Sequence, residues 1–286
     1  MKEETDLDFT TGEAAPLLKE EWIKSWLVQD DDDYIVFNKP GGIICHPSKN
    51  GPWSSLVGAS REVFHLPRVH LAHRLDRETS GLVILARHRA SARSIQMAFE
   101  KRQVQKAYLA LLEGSLPEPV LVNQPLAKDL ESPVYIKQTV RRSRSAQSAV
   151  TQFLPLWSNP QCSLVLCRPQ TGRKHQIRAH AAWLGKPLKG DKIYGPDDSW
   201  YLHFIEKGWT PEIAHALELP RQALHAAILQ FSDYQGQQRR FFAPLPSDLL
   251  EALSNAGCPL SAGPIHERTL QIFEESLLDS KTEPKS

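Results

Sequence analysis

One acid sits between two arginines in the stretch HRLDRETSGLVILAR, His73 to Arg87. Asp76 lies between Arg74 and Arg77, and Thr79, Ser80 and Gly81 follow it. A carboxylate held among cations on a rigid element is one way to build a catalytic acid, base or nucleophile. On charge alone the same residues make a surface ion-pair cluster, so the acid needs companions before it reads as chemistry. The five apolar residues Leu82 to Ala86 after a glycine predict a buried strand. The charged part then sits on a turn or loop leading into the core.

Other chemistries fail on spacing. A kinase catalytic loop needs His-Arg-Asp in succession, and Leu75 intervenes here. A phosphate loop ahead of Gly185-Lys186 needs glycine where His180 stands. His175 and His180 fall roughly 140° apart on a helix, and His70 and His73 face oppositely on an extended chain. Neither pair suits a shared metal, so no metal is expected, and the histidines are assigned to hydrogen bonding or to contact with a bound partner. The four cysteines, Cys45, Cys162, Cys167 and Cys258, form no CxxC pair and read as free thiols of a reducing compartment. Cys162 and Cys167 flank a strand-like run and should point to opposite faces.

The chain has 286 residues, 41% hydrophobic and 23% charged, ordinary values for a soluble globular protein. The formal charge of +1 hides an uneven distribution. Residues 1–33 hold eleven acids against three lysines, whereas residues 61–106 hold ten Lys/Arg against four acids. Residues 168–192 hold seven Lys/Arg against Asp191 alone, and residues 137–144 add four cations and no acid. Any one basic run can be a solvated face. Three, two of them on motif-bearing segments, predict a polyanion partner. No run approaches the length of a membrane span, and the N-terminus lacks the apolar core of a signal peptide, so a cytoplasmic monomer is expected.

Around these residues the periodicities predict a helix over 16–28, strands at 34–37 and 82–86, and a helix over 90–102. A strand over 104–112 puts Lys106, Tyr108 and Ala110 on one face. Further strands are expected at 134–137, 148–156, 163–167 and 223–231. In the last of these Leu224, Ala226, Ile228 and Gln230 should face one way. A helix from Arg173 to Leu184 should close at Gly185, with Lys174 and Arg178 as a basic pair. Residues 190–220 read as an irregular insertion with a helix at 210–219. Helices are expected at 248–256, with Ser247 as cap, and at 267–278. Strands outnumber helices without alternating with them. The fold class is therefore α+β, a mainly antiparallel mixed sheet flanked by helices. Residues 1–33 read as an acidic leader with a short helix, 34–256 as one catalytic domain, and 257–286 as a C-terminal helix and flexible tail.

Taken together the motifs carry a resemblance. His73-Arg74-Leu75-Asp76-Arg77-Glu78-Thr79-Ser80-Gly81-Leu82 resembles the central motif of the RluA-type pseudouridine synthases. Phe37-Asn38-Lys39-Pro40-Gly41-Gly42, running to His46-Pro47, is similar to that family's first motif, and Lys106-Ala107-Tyr108 to its K-x-Y element. Thr171 to His180 with Gly190 to Gly195 resembles the third motif and its sequel, Lys174 standing where many members carry Thr. Leu224-His225-Ala226 is similar to the late L-H-A element. The five lie in the family's order over residues 34–245.

The resemblance implies the pseudouridine-synthase fold and isomerisation of uridine to pseudouridine in structured RNA, ribosomal or transfer, without cofactor or metal. It implies Asp76 as nucleophile, Tyr108 as a base-stacking and proton-transfer residue, and Arg178 as the partner of Asp76. Arg74 would fill the place of the displaced uridine, and Ile177 would pack under the site. His73, Arg77, Lys106, Asn38 and Lys39 are further expected substrate contacts. The leader is too short and acidic for the S4-type RNA-binding domain some members carry. Trp200, Tyr201 and Trp209 in the insertion could serve RNA or packing. The physics is consistent: an Arg partner lowers an Asp from ~3.9 by roughly 1–3 units, against the opposite push of burial. Flipping the base costs about a few kcal/mol, which stacking (on the order of 1–3 kcal/mol) and phosphate contacts can offset. Two rivals remain: an RNA-binding protein without turnover, and a glycosidase using Glu78 as second acid.

Overall fold

A computed structural model describes residues 17–46 and 50–282. The leader up to residue 16, Pro47 of the first motif and the tail from 283 lie outside the described residues. The chain opens with α1 (Glu20–Ser25), β1 (Leu27–Asp30), β2 (Tyr34–Lys39) and α2 (Leu56–Val63). It continues through β3 (His70–Leu71), β4 (Ser80–Ala86), α3 (Arg89–Glu100) and β5 (Gln105–Glu113). Then come β6 (Val120–Asn123), β7 (Leu126–Lys128), β8 (Gln138–Val140), β9 (Val150–Ser158) and β10 (Cys162–Pro169). The last third holds α4 (Gln176–Trp183), α5 (Ser199–Lys207), α6 (Pro211–Leu217), β11 (Leu224–Ser232), β12 (Gln238–Phe242), α7 (Ser247–Asn255) and α8 (Ala262–Thr282).

The strands make one ten-stranded sheet, ordered β1-β2-β4-β11-β5-β10-β9-β6, with β3 on β4 and β12 on β11. The hairpin β7–β8 stands apart as a two-stranded sheet. Every pairing in the large sheet is antiparallel except β4 with β11. The mixed, largely antiparallel sheet agrees with the expected fold class. β4 and β10 are buried along their whole length, because each has a strand on either side and covered faces. That is why they read as unbroken apolar runs rather than alternating ones. Helices α7 and α8 supply Leu249, Leu253, Ile265 and Phe273 to the core beneath Leu109, Leu111 and Leu164. α4 covers the opposite face, where Ile177 and Ala181 meet Ala110, Leu112 and Val165. Cys162 joins the first cluster and Cys167 the second, as their spacing required.

Several expected boundaries move. The first helix ends at Ser25, and Leu27–Asp30 pairs with β2 instead of continuing it. Residues 134–137 form a turn, and the strand is Gln138–Val140. Asp197 Oδ1 accepts the Ser199 N–H and starts α5, a helix inside the supposed irregular insertion. Ser247 is the first residue of α7 rather than its cap, and α8 runs beyond 267–278 at both ends. In β11 a bulge between Ala226 and Ile228 breaks the expected alternation. Ala226 lies across from Tyr108 but Ile228 lies across from Ala107, so the two side chains take opposite faces.

β4 and β11 pair only at Ser80↔His225 and Gly81↔Ala226, after which β4 pairs with β3 and β11 with β12. Gly81 has φ +107°, and a Cβ there would lie 2.3 Å from the Ala226 carbonyl oxygen. Only glycine lets the strands meet. Gly81→Val is therefore expected to destabilise the protein by more than about 2 kcal/mol in chemical denaturation. Gly236→Ala, also at positive φ but in open space, should cost about 1 kcal/mol. Equal losses at the two positions would refute the close-approach account.

Candidate active site

The loop before β4 carries Asp76 to the edge of a cavity of about 390 Å³. Tyr108 and Lys106 project into it from β5, and Ile177 and Arg178 from α4. Arg74 stands exposed on its rim, beside Arg173 and Lys174. The volume lies in the range of small-ligand pockets, large enough for a flipped nucleoside.

Arg178 organises the floor. Its Nη1 donates to Asp76 Oδ2 at 2.9 Å. Its Nε and Nη2 donate to Asp191 Oδ2 and Oδ1 at 2.7 and 2.8 Å, a two-pronged ion pair. Asp191 is fully buried, and its Oδ1 also accepts the backbone N–H groups of Ile193 and Tyr194. The ring of Tyr194 lies 5.0 Å from the guanidinium. Burial pushes the Asp76 carboxyl up. Arg178 and then His175 outweigh it, holding the group below the ordinary carboxylate range. Asp76 is thus ionised at neutral pH with its side chain still 32% exposed. Burial, then the Asp76 charge, raises the Tyr108 phenol, which keeps its proton. Burial lowers the Lys106 ammonium to about 8, and Lys106 makes no ion pair among the described residues. It lies over the Phe99 ring, and a Cβ on Gly172 would come within 3.2 Å of its Nζ.

Of the expected site residues, the structure brings Arg74, Asp76, Lys106, Tyr108, Ile177 and Arg178 to one pocket. Asn38, Lys39, His73 and Arg77 do not line it. Lys39 is fully buried, and its Nζ donates to the carbonyls of Pro40 and Arg77. Arg77 in turn donates through Nε to Gly42 O. His73 accepts the Ile84 N–H and stacks on Phe99, and burial holds it down to about 3. Asn38 sits in β2 opposite Leu82. The last four brace the Asp76 loop and its strand; they do not face the cavity. The expected Lys174/Arg178 basic pair also dissolves, since α4 starts only at Gln176 and Arg178 points inward.

Spacing gave no sign of His175, Asp191, Tyr194 and Gln222. His175 has left-handed backbone (φ 53°) and lines the pocket, with Nε2 3.6 Å from Asp76 Oδ2. Burial, then Arg178, pushes its imidazole down to about 4. Gln222 donates to Thr79 Oγ1, and its backbone N–H reaches Glu78 Oε2. Lys192 Nζ pairs with Glu78 Oε1 at 2.7 Å. Glu78 is thereby turned away from the cavity, which it does not line. Asp191, Lys192 and Tyr194 stood in a recognisable string, but nothing local says which of them turns inward.

A profile of the RNA pseudouridylate synthase family matches residues 33–183. The chain belongs to the RluA-type RNA pseudouridine synthases. It is 32% identical over 234 residues to the ribosomal large subunit pseudouridine synthase D of Vibrio cholerae, covering 79% of this chain and 68% of that protein. It is 34% identical over 197 residues to the Bacillus subtilis RNA pseudouridine synthase YhcT, covering 66% and 63%. The solved structure of human RNA pseudouridylate synthase domain containing 4 superposes with a TM-score of 0.65 at 27% identity, covering 82% of this chain and 94% of that one. This family of RNA-modifying isomerases accounts for a basic-rimmed pocket with an ionised carboxylate.

The buried histidines set an acid limit on stability. His175 and His225 titrate near 4 and His73 near 3 in the fold, below the ordinary 6.5. Below 6.5 the unfolded chain takes up these protons first. Stability is therefore complete above about 6.5 and falls as pH drops toward 4, at about 1.4 kcal/mol per pH unit per histidine. Denaturation midpoints at pH 7.5 and pH 5 measure this; equal midpoints would reject it.

Proposed function

We propose that this RNA pseudouridine synthase acts on ribosomal RNA, with Asp76 as nucleophile and without a cofactor. The observation that carries the reading is the Arg178 bridge, which keeps Asp76 ionised in the same pocket as a protonated Tyr108. Isomerisation breaks the N1–C1′ bond, joins C5 to C1′, releases the C5 proton and supplies one to N1. No atom is added overall and nothing is oxidised, so the chemistry asks for no cofactor. The name of the Vibrio cholerae relative supports ribosomal RNA as the substrate class.

In this reading the target uridine leaves its stack and enters the cavity, where Tyr108 stacks on the uracil and takes part in proton transfer. The Asp76 carboxylate attacks. Ile177 packs beneath the base. Arg74, exposed at the rim, takes the vacated place in the RNA stack. Lys106, with no carboxylate partner among the described residues, meets a phosphate of the target strand. Asn38, Lys39, His73 and Arg77 act through the backbone they hold. The pocket is built within one chain, so a monomer suffices. Ribosomal RNA as substrate carries with it the expected cytoplasmic location. No helix among the described residues is long and apolar enough to cross a membrane. The glycosidase alternative lacks its second acid, because Glu78 is tied to Lys192 outside the cavity.

Asp76→Asn should abolish tritium release from C5-labelled uridine RNA, a loss of at least about a thousandfold, with RNA affinity within about threefold of wild type. Retained turnover would remove Asp76 as nucleophile. Affinity should also fall steeply with salt, as phosphate contacts release counterions; a flat response would count against a polyanionic substrate.

A further inference from the structure

His175 is a pocket residue with a second, fixed connection behind it. The Gln138 N–H donates to Tyr194 Oη at 2.7 Å, and that oxygen lies 3.0 Å from His175 Nδ1. A phenol that already accepts from a backbone N–H has one proton of its own to place. No other acceptor for it stands among the described residues, so it goes to Nδ1. The imidazole then carries its hydrogen on Nε2, the nitrogen that faces Asp76 Oδ2 at 3.6 Å. Edge-to-face packing of the two rings, 5.6 Å apart at 84°, fixes the orientation. His175 reaches this position only by adopting left-handed backbone just ahead of α4. Such a conformation in a side chain with a Cβ costs about 1–3 kcal/mol and concentrates at functional sites.

Arg178 and His175 both address the same carboxylate oxygen. Neither of these two contacts falls on Oδ1; the Gln222 side chain is a third hydrogen-bond partner of the carboxylate. We propose that His175, held by Tyr194, is a positioning residue that closes on Asp76 Oδ2 when RNA fills the pocket and so presents Oδ1 as the attacking oxygen. The gap to a hydrogen bond is about half an ångström, a looseness common in unliganded sites. The inference rests on Asp76 being the nucleophile.

Two substitutions separate this role from a merely structural one. Asparagine tolerates left-handed backbone best and can still meet Tyr194 at the Nδ1 position, but it cannot reach Asp76. Glutamine fits that backbone less well but can place an amide N–H where Nε2 stands. Single-turnover rates at saturating enzyme, RNA dissociation constants and melting temperatures are measured for His175→Asn and His175→Gln beside wild type and Asp76→Asn. Glutamine should stay within about threefold of the wild-type rate, and asparagine should be slower by about tenfold or more (~1.4 kcal/mol), both with unchanged RNA affinity. Asparagine as fast as glutamine, or faster, would overturn the proposal. So would rate losses that simply follow melting temperature. An inactive wild type or an active Asp76→Asn would instead overturn the underlying assignment of Asp76.

Discussion

A buried guanidinium bonded to two carboxylates is the constraint on which the site depends. Arg178 cannot lie in the interior unpaired, because an uncompensated buried charge costs several kcal/mol. Asp191 neutralises it with two short bonds and is itself saturated by two backbone N–H groups. Arg178 is therefore fixed before Asp76 is considered. Its remaining arm points at Asp76. The three groups carry one negative charge in excess, and of the two carboxylates only Asp76 opens to the cavity. The reactive charge is concentrated where a substrate can meet it.

Everything around the Asp76 loop holds it against that arm. Lys192 clamps Glu78 two residues downstream, and Gln222 holds Thr79. Arg221, buried and paired with Asp248, reaches the Glu78 carbonyl. The Gly81–Ala226 contact joins β4 to β11 directly behind the loop. His225 extends this joint, accepting from the Ser80 hydroxyl and donating to Ala243 O. Lys192 and the segment from Arg221 to Ala226, both more than a hundred residues away, thus converge on four consecutive positions, Glu78 to Gly81. A preorganised carboxylate needs that support, since a loop alone would let it drift.

The basic motif residues divide into two populations. Lys39 and Arg77 donate to backbone carbonyls, Lys39 from a fully buried position where an ammonium must find acceptors. Arg74, Arg173 and Lys174 face the cavity mouth, and Lys106 lies within it without an acid partner among the described residues. Arg74 and Arg77 are both exposed, so the division follows what each side chain meets rather than residue type, and cations alike in the sequence do unlike work.

The sequence by itself determined the central strands β2, β5, β9, β10 and β11, the apolar strand after Gly81, the acid of the central motif and the uneven charge. Each is a local matter: composition, period two or 3.6, and a string of residue types at fixed spacing. The motif order also carried the pairing of Asp76 with Arg178 as an expectation, 102 residues apart. Only the tertiary structure decided which charges turn inward. Lys39 and Lys106 look alike in the chain, yet one is buried against carbonyls and the other lines the pocket. His175 was hidden because its backbone leaves the helical path, which placed Lys174 outside α4 and broke the periodicity used to read it. The β11 bulge flipped Ile228 for the same reason. A residue's facing depends on the register of neighbours far away in the chain, and no local pattern encodes that.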